Sequence, residues 1–446
     1  MMKKERRDDN MSVIHSIIIF FISNFYILEM HYNIKIPKAI LILVFLIINI
    51  FPTLGMKRLK EKKLESTKKA YVLLEVFLIS SIMSIIFFLL QILFWKIDFK
   101  IIRLNIMFIF ILEFIIFWNG MIRLYIFSNQ LGIKYRVIGA ICGMIPILNV
   151  IVLIKMIMIA KKEVQFENDK YILNEARKEK QICKTKYPLL LVHGVFFRDF
   201  KFMNYWGRIP NELIKNGATC FYGNHSSAVS IEDAGKELAT RIREIVKETG
   251  CEKVNIIAHS KGGLDCRYAI SECNIEDNVA SLTMINTPNR GCEFADYLFS
   301  KVPENIVNAV ANKYNFTLKH LGDSNPDFIK ATMNLTSSYC NELNKKIRKS
   351  DKVFYQSVGT KLIKSNSARF PLNMTTNFVK KFDGDNDGLV GEKSFEYGDK
   401  YTFIMPKGKR GISHGDVIDL NRENIEGFDV REFYVDLVSA LREQGF

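Results

Sequence analysis

The residue of this sequence best suited to do chemistry is a serine between a strand-like segment and a pair of glycines. Ser260 follows the apolar run Val-Asn-Ile-Ile-Ala-His and precedes a helix-forming stretch. This strand–serine–helix turn is a nucleophile elbow, which holds a serine hydroxyl at the end of a sheet. The helix crosses closely over the strand, so the neighbouring residues must be small, as Ala258, Gly262 and Gly263 are. We therefore predict Ser260 as a nucleophile in an elbow that also contains His259.

A serine nucleophile needs a base, and only two of the seven histidines follow it in the chain. Elbow serines have their acid and then their histidine later in the sequence. His414 lies in a loop between a predicted strand and the last predicted helix, whereas His320 lies in a polar, amphipathic stretch and is predicted to be a surface residue. The predicted acid is Asp387, 27 positions before His414, which would fix the imidazole tautomer and stabilise the imidazolium. Asp383 and Asp385 remain alternatives.

A second apolar strand offers the other half of an oxyanion hole. The run Leu-Leu-Leu-Val-His-Gly ends at Gly194, 66 positions before Ser260. Backbone N–H groups just after such a strand and just after a nucleophile can both point at a developing oxyanion. We therefore predict that Val195 and Lys261 donate through their main chains, and we assign no role to their side chains. Further strand patterns alternate with helical ones along this region, which indicates a mostly parallel sheet covered on both faces.

From residue 187 to the C-terminus the sequence resembles the bacterial triacylglycerol lipases, α/β-hydrolases typified by secreted pseudomonad lipases. The resemblance rests on these motifs: Tyr187-Pro188, His193-Gly194, Tyr205-Trp206, Gly217-Ala218, 253–260, Arg267-Tyr268, 287–291, 293–296 and 386–390. It implies an α/β-hydrolase fold with Ser260, Asp387 and His414 as the triad and a lid at about 297–340. Asn289 departs from the family, whose members usually carry histidine there.

The same resemblance implies a structural calcium ion near the catalytic histidine, for which Asp416 matches one ligand. Separately, residues 383–388 copy the first half of an EF-hand loop, but the twelfth position is Ser394 where a bidentate glutamate is needed. We expect that the reaction requires no cofactor. Calcium bound near Asp416 remains an alternative.

The first 186 residues have a different composition. Apolar runs occupy 13–28, 40–54, 71–95, 101–118 and 137–160. The third run is long enough to cross about 30 Å of hydrocarbon at 1.5 Å per residue. We predict an all-α transmembrane region of four or five helices over 1–160, a charged helical linker over 161–186, and the catalytic domain over 187–446.

The charge distribution separates the same two regions. Residues 1–186 carry 28 Lys and Arg against 14 Asp and Glu, whereas 187–446 carry 34 against 33. The nearly neutral catalytic half argues against nucleic acid as a partner, and the basic excess flanks the apolar runs, as expected beside a bilayer. The basic linker 161–186, and eight scattered cysteines without a C-x-x-C pair, favour the cytoplasmic face of the cell membrane for the catalytic domain. The run 137–160 is irregular, because it contains Gly139, Gly143, Pro146, Asn149 and Lys155, and a re-entrant segment there would leave the catalytic domain in the cytoplasm. The opposite face remains an alternative, because it would follow from a complete fifth crossing at 137–160.

These patterns predict a membrane-anchored serine esterase or lipase that cleaves lipid or other acyl esters through an acyl-enzyme. Acyltransferase and thioesterase reactions at the same site are alternatives within the same class. A non-catalytic membrane interaction module with a hydrolase fold is the alternative from another class, because fold alone does not give function.

Overall fold

The computed structural model describes residues 2–94, 98–195, 204–320, 323, 325–405 and 408–446. The chain divides into two compact units, Met1–Leu173 and Asn174–Phe446. Their boundary lies within the segment 161–186, which the sequence predicts to be a linker. The first half of that segment is not a separate element, since it continues a helix that begins at Leu148 and ends at Arg177.

The first unit is helical. Its helices are α1 Met2–Ser23, α2 Phe25–Met30, α3 Lys38–Ile50, α4 Lys62–Phe94, α5 Phe99–Phe127, α6 Gly132–Cys142 and α7 Leu148–Arg177, the last of which extends into the second unit. Helices α4 and α5, of 33 and 29 residues, are long and apolar enough to cross a membrane. In the most apolar 18-residue stretch of each helix, only 22% and 17% of the residues are buried, so most residues there are at least partly exposed.

The described residues contain two such helices rather than the predicted four or five. The apolar run 13–28 is divided at Asn24, whose side chain bonds to Phe20 O and to Ser84 Oγ. The run 40–54 forms only the 13-residue α3. The run 137–160 is interrupted after Cys142 and resumes as α7, because Pro146 has no N–H to continue a helix. Apolar composition alone did not reveal the break at Asn24, whereas the sequence already indicated that 40–54 is short and that 137–160, which contains Pro146, is irregular.

The second unit alternates strands and helices. Its elements are β1 Leu189–Val192, α8 Ile209–Lys215, β2 Cys220–Tyr222, α9 Ile231–Thr249, β3 Val254–His259, α10 Lys261–Glu272, β4 Val279–Ile285, α11 Glu293–Lys301, α12 Glu304–His320, α13 Phe328–Met333, α14 Ser337–Lys346, β5 Phe354–Thr360, α15 Leu372–Asp383, β6 Lys400–Ile404 and α16 Val430–Glu443. Short 3₁₀ turns lie at Lys178–Lys180, Glu276–Asn278, Ser365–Ser367, Glu392–Ser394 and Asp416–Ile418.

The six strands form one parallel sheet in the order β2-β1-β3-β4-β5-β6. Side chains alternate between its two faces: Leu189 and Leu191 pack in a core with α8 and α16, whereas Leu190 and Val192 pack in a core with α9 and α10. A parallel sheet covered on both faces, with a serine turn after β3, confirms the predicted α/β-hydrolase fold. All carboxyl ends of the strands lie at one edge of the sheet, where α/β proteins build their sites.

The segment predicted as a lid, 297–340, contains the end of α11, all of α12 and α13, and the start of α14. Helix α12 exposes Ile306, Val310 and Tyr314, which are 51%, 44% and 45% accessible. A spacing of four residues puts these three side chains on one face of the helix. The segment therefore presents an apolar stripe to its surroundings.

Candidate active site

Ser260 occupies a strained turn between β3 and α10. Its φ of 56° and ψ of −132° lie outside the regions that L-residues normally adopt. The two following glycines are required by close packing: a Cβ added to Gly262 would lie 2.4 Å from His193 O, and one added to Gly263 would lie 2.1 Å from Thr287 Oγ1. The structure thus gives a steric reason for the small residues on which the sequence prediction depended. Ala258, the small residue before the turn, is fully buried in β3.

His414 and Asp387 form a hydrogen-bonded pair. Nδ1 of His414 lies 2.6 Å from Oδ2 of Asp387, and the His414 N–H donates to the Asp387 carbonyl at 2.9 Å. The Asp387 carboxylate is fully buried, and its Oδ1 accepts from the backbone of Leu389 and Val390. The His414 ring lies 4.4 Å from the ring of His259, the residue before the nucleophile. The candidate acid and base therefore meet each other beside the serine turn.

The alternative residues have other contacts. Asp383 accepts from the first two backbone N–H groups of α11, at 2.8 and 3.0 Å. Asp385 forms ion pairs with Lys361 and Lys380, and the Lys361 contact holds the pKa of Asp385 below its usual range. His320, at the exposed end of α12, bonds through Nδ1 to a carbonyl of its own helix. His414 is bonded to Asp387 rather than to Asp383 or Asp385.

Sequence reasoning missed Asn286, which supports the candidate acid. Its Nδ2 donates to Asp387 Oδ2 at 2.6 Å and to Thr360 Oγ1 at 2.7 Å. Asn286 is fully buried directly after β4 and has a φ of 47°, a conformation that asparagine tolerates better than most residues. An asparagine at the carboxyl end of a buried parallel strand is the signal that could have identified it.

The carboxyl ends of β1 and β3 pack against each other beside Ser260. A Cβ added to Gly194 would lie 2.8 Å from Ser260 Cβ, so the turn after β1 packs directly on the nucleophile. The Tyr205 hydroxyl accepts from Gly194 N at 3.1 Å and contacts His259 Nδ1 at 2.7 Å. Burial, and secondarily the electrostatic effect of His414, lower the pKa of His259 well below its usual range.

The two predicted oxyanion donors follow these turns directly. Val195 comes after Gly194 and is buried, and residues 196–203 lie outside the described part of the chain. Lys261 is the first residue of α10, where a backbone N–H has no acceptor within its own helix. Lys261 thus directly follows Ser260, and Val195 directly follows Gly194, the residue that packs against Ser260.

The side chain of Lys261, to which the sequence analysis assigned no role, belongs to a buried charge cluster. Its Nζ lies 2.6 Å from Asp265 Oδ1, and both side chains are almost fully buried. Nε2 of His225 lies 3.7 Å from the other carboxylate oxygen, and the His225 ring stacks on His193 with centroids 4.0 Å apart. Burial raises the pKa of Asp265 to about 6, although the ammonium of Lys261 acts in the opposite direction. The Lys261–Asp265 pair links residues four positions apart and so stabilises the start of α10.

The surroundings of Asp416 do not fit the calcium ion that the lipase resemblance implies. Its Oδ1 lies 2.9 Å from Arg410 Nη2, and its Oδ2 accepts from Ser413 N at 3.0 Å. The same Arg410 nitrogen contacts Glu423 at 3.1 Å. A guanidinium therefore already neutralises this carboxylate. Within the described ranges, no group of three or more His, Cys, Asp or Glu side chains is arranged to hold a metal.

Comparison with known proteins gives a consistent set of relatives. No family model matches the sequence. A triacylglycerol lipase of Pseudarthrobacter phenanthrenivorans is 32% identical over 167 residues, which cover 34% of this chain and 51% of the relative. A triacylglycerol lipase of Pseudomonas fragi is 26% identical over 297 residues, which cover 58% of this chain and 98% of the relative. This chain is similar to triacylglycerol lipases.

The matches at 32% identity span about half the length of each relative. Among solved structures, the Staphylococcus hyicus lipase superposes with a TM-score of 0.46 and 18% identity, over 58% of this chain and 97% of the lipase.

Proposed function

We propose that this chain is a membrane-associated serine hydrolase that cleaves carboxylic esters of lipids. The observation that carries the proposal is the 2.6 Å bond between His414 and the buried Asp387, beside a serine held at a φ of 56°. A strained serine next to a histidine–carboxylate pair is the arrangement that makes a hydroxyl nucleophilic. The similarity to triacylglycerol lipases supports an acyl ester as the substrate.

The proposed reaction proceeds through an acyl-enzyme. His414 takes the proton of the Ser260 hydroxyl as its oxygen attacks the ester carbonyl, and the backbone N–H groups of Val195 and Lys261 stabilise the oxyanion. His414 then gives the proton to the departing alcohol. In the second half-reaction His414 activates water, which attacks the acyl carbon and releases the fatty acid and free Ser260. Asp387 stays ionised throughout and keeps Nδ1 of His414 protonated.

Membrane anchoring is the second part of the proposal, and α4 and α5 are its support. Two crossings would return the chain to the side of the membrane from which it started. The run 56–70, directly before and within the start of α4, carries seven Lys or Arg and favours the cytoplasmic side. The break between α6 and α7 favours a re-entrant segment at 137–160 over a further crossing. We therefore propose a multi-pass protein of the cell membrane with a cytoplasmic hydrolase.

The catalytic proposal is tested with full-length protein in detergent and p-nitrophenyl esters of short and long acyl chains. We expect turnover by the wild type and a loss of at least about 10³-fold in Ser260→Ala, whose fold is checked by circular dichroism. A long-chain preference would support a lipase, and a short-chain preference would support an esterase with a shallow pocket. Equal rates in wild type and variant would refute Ser260 as the nucleophile.

The alternative reactions are outcomes of the same assay. Serine-dependent transfer of the acyl group to an added alcohol, faster than release to water, would indicate an acyltransferase. Faster cleavage of matched thioesters would indicate a thioesterase. A folded protein without serine-dependent turnover on any of these substrates would favour the non-catalytic interaction module. Topology is tested separately by reporter fusions after residue 446, for which we expect a cytoplasmic signature.

A further inference from the structure

A buried arginine in the hydrolase unit has no acidic partner among the described residues. Arg267, on α10, is 3% exposed, and it donates to the neutral side-chain oxygens of Asn289 at 3.2 Å and Asn344 at 2.7 Å. Its guanidinium lies over the ring of Tyr397, 3.7 Å from the centroid. Buried charges are normally paired with an opposite charge, because desolvation of an isolated ion is costly. Arg267 has a cation–π contact and two amides instead.

The guanidinium also retains unused donors. An arginine has five N–H groups, and the hydrogen bonds to Asn289 and Asn344 use two of those of Arg267. Its Nε is buried without a hydrogen-bond acceptor in the described part of the chain. Burial lowers the pKa of this guanidinium, as expected for a cation lacking a counter-ion. A bound anion would supply the missing charge.

A pocket lies beside this side chain. Its volume is about 350 Å³. Arg267 and a second arginine, Arg290, both line it, together with Asn289, Asn344, Ile347, Glu396, Tyr397 and Gly398. Arg290 is more than half exposed and lies 3.7 Å from Glu396, so a ligand could compete for it.

We propose that this pocket is a binding site for an oxyanion, a phosphate or carboxylate group held between Arg267 and Arg290. Arginine suits this task because its planar fork matches the oxygens of both groups. The carboxylate of Glu396 is the group that the ligand displaces from Arg290. The site is separate from the proposed hydrolase chemistry and does not depend on Ser260.

The test is thermal unfolding of the full-length protein in detergent with sodium phosphate, sodium acetate or sodium chloride at equal ionic strength. We expect phosphate or acetate to raise Tm saturably, by about 2–3 °C at ten times Kd, while chloride does not. The stronger of the two anions identifies the preferred group. Ser260→Ala is expected to show the same shift, which separates this site from the catalytic proposal.

Variants decide whether the shift arises in this pocket. Arg290→Ala is expected to abolish it, whereas the matched control Arg348→Ala removes an exposed charge next to Ile347 and is expected to retain it. Glu396→Gln removes the competing carboxylate and is expected to lower Kd several-fold. Arg267→Met would be informative only if it folds, so Arg290 and Glu396 carry the test. The proposal fails if no oxyanion exceeds chloride, or if Arg290→Ala retains the full shift.

Discussion

Asn286→Ala tests whether the candidate acid works only when a second side chain holds it. The buried Asp387 carboxylate accepts two backbone N–H groups at Oδ1, whereas Oδ2 accepts from Asn286 and His414, each at 2.6 Å. Asn286 is thus the side chain that shares an oxygen with the candidate base. Without it, the orientation of the carboxylate toward His414 is left to the two backbone bonds.

The magnitude follows from the bond that is lost. A hydrogen bond to a charged group contributes about 1.5–3 kcal/mol. A change of about 1.4 kcal/mol in the activation free energy changes a rate tenfold. If the whole energy of this bond is lost in the transition state, kcat falls by roughly 10- to 150-fold. The loss should stay below the roughly 10⁴-fold expected for Asp387→Asn, because Asn286 acts only through the acid. KM should be unchanged, since Asn286 is buried behind Asp387 and contacts no ligand in this scheme.

The assay is ester hydrolysis over a range of substrate concentrations. The control is Asn274→Ala, because Asn274 is exposed and has a φ of 53°, so the same backbone cost is imposed without a contact to the acid. In an Asp387→Asn background, Asn286→Ala should cost little more, since residues acting as a unit are not additive. A folded Asn286→Ala enzyme with kcat within threefold of wild type, or one altered mainly in KM, would refute this reasoning.

Three other substitutions probe the frame of the site. Lys261→Met should destabilise the second unit by about 3–5 kcal/mol in urea unfolding, because it removes the ammonium that pairs with the buried Asp265 carboxylate, and Asp265→Leu in the same chain should restore much of that loss. Gly262→Ala should lower activity and soluble yield, since its Cβ would lie 2.4 Å from a carbonyl oxygen; an active, stable variant would contradict the tight elbow. Arg410→Gln should lower both Tm and kcat by freeing the loop of the candidate base, while EDTA should leave the wild-type Tm unchanged. A Tm that falls with EDTA and recovers with calcium would show that Asp416 binds a metal after all.

The sequence was informative where a role depends on local pattern. Ser260 could be proposed because a strand, a serine and two small residues follow one another closely in the sequence of such a turn. His414 and Asp387 could be proposed because the order of the triad along the chain and the small number of histidines left few choices. The parallel sheet followed from strands that alternate with helical stretches, and the structure confirms it.

What the sequence could not provide depends on contacts between distant segments. Asn286 reaches Asp387 across 101 positions, and Tyr205 reaches His259 across 54. Neither residue has a local pattern that identifies its partner. The number of membrane spans was wrong for a different reason. Hydropathy records composition and does not express the break at Asn24, which depends on side-chain hydrogen bonds to Phe20 O and Ser84 Oγ. The irregularity around Pro146, by contrast, was visible in the sequence.

The strained residues of the site explain why its geometry is fixed by the sheet. Ser260 and Asn286 both have positive φ values and directly follow the adjacent strands β3 and β4. Each donates its backbone N–H to the next strand: Ser260 to Ile285 O at 3.0 Å, and Asn286 to Val358 O at 2.9 Å. Conformations of this kind cost about 1–3 kcal/mol each and persist only where their surroundings enforce them.

Relaxing the backbone at Ser260 would therefore break a hydrogen bond to β4, and relaxing it at Asn286 would break one to β5. The backbone hydrogen bonds between neighbouring strands, which stabilise the sheet, thus also hold Ser260 and Asn286 in position. Substitutions at the carboxyl ends of β4 and β5 should consequently reduce catalysis and stability together.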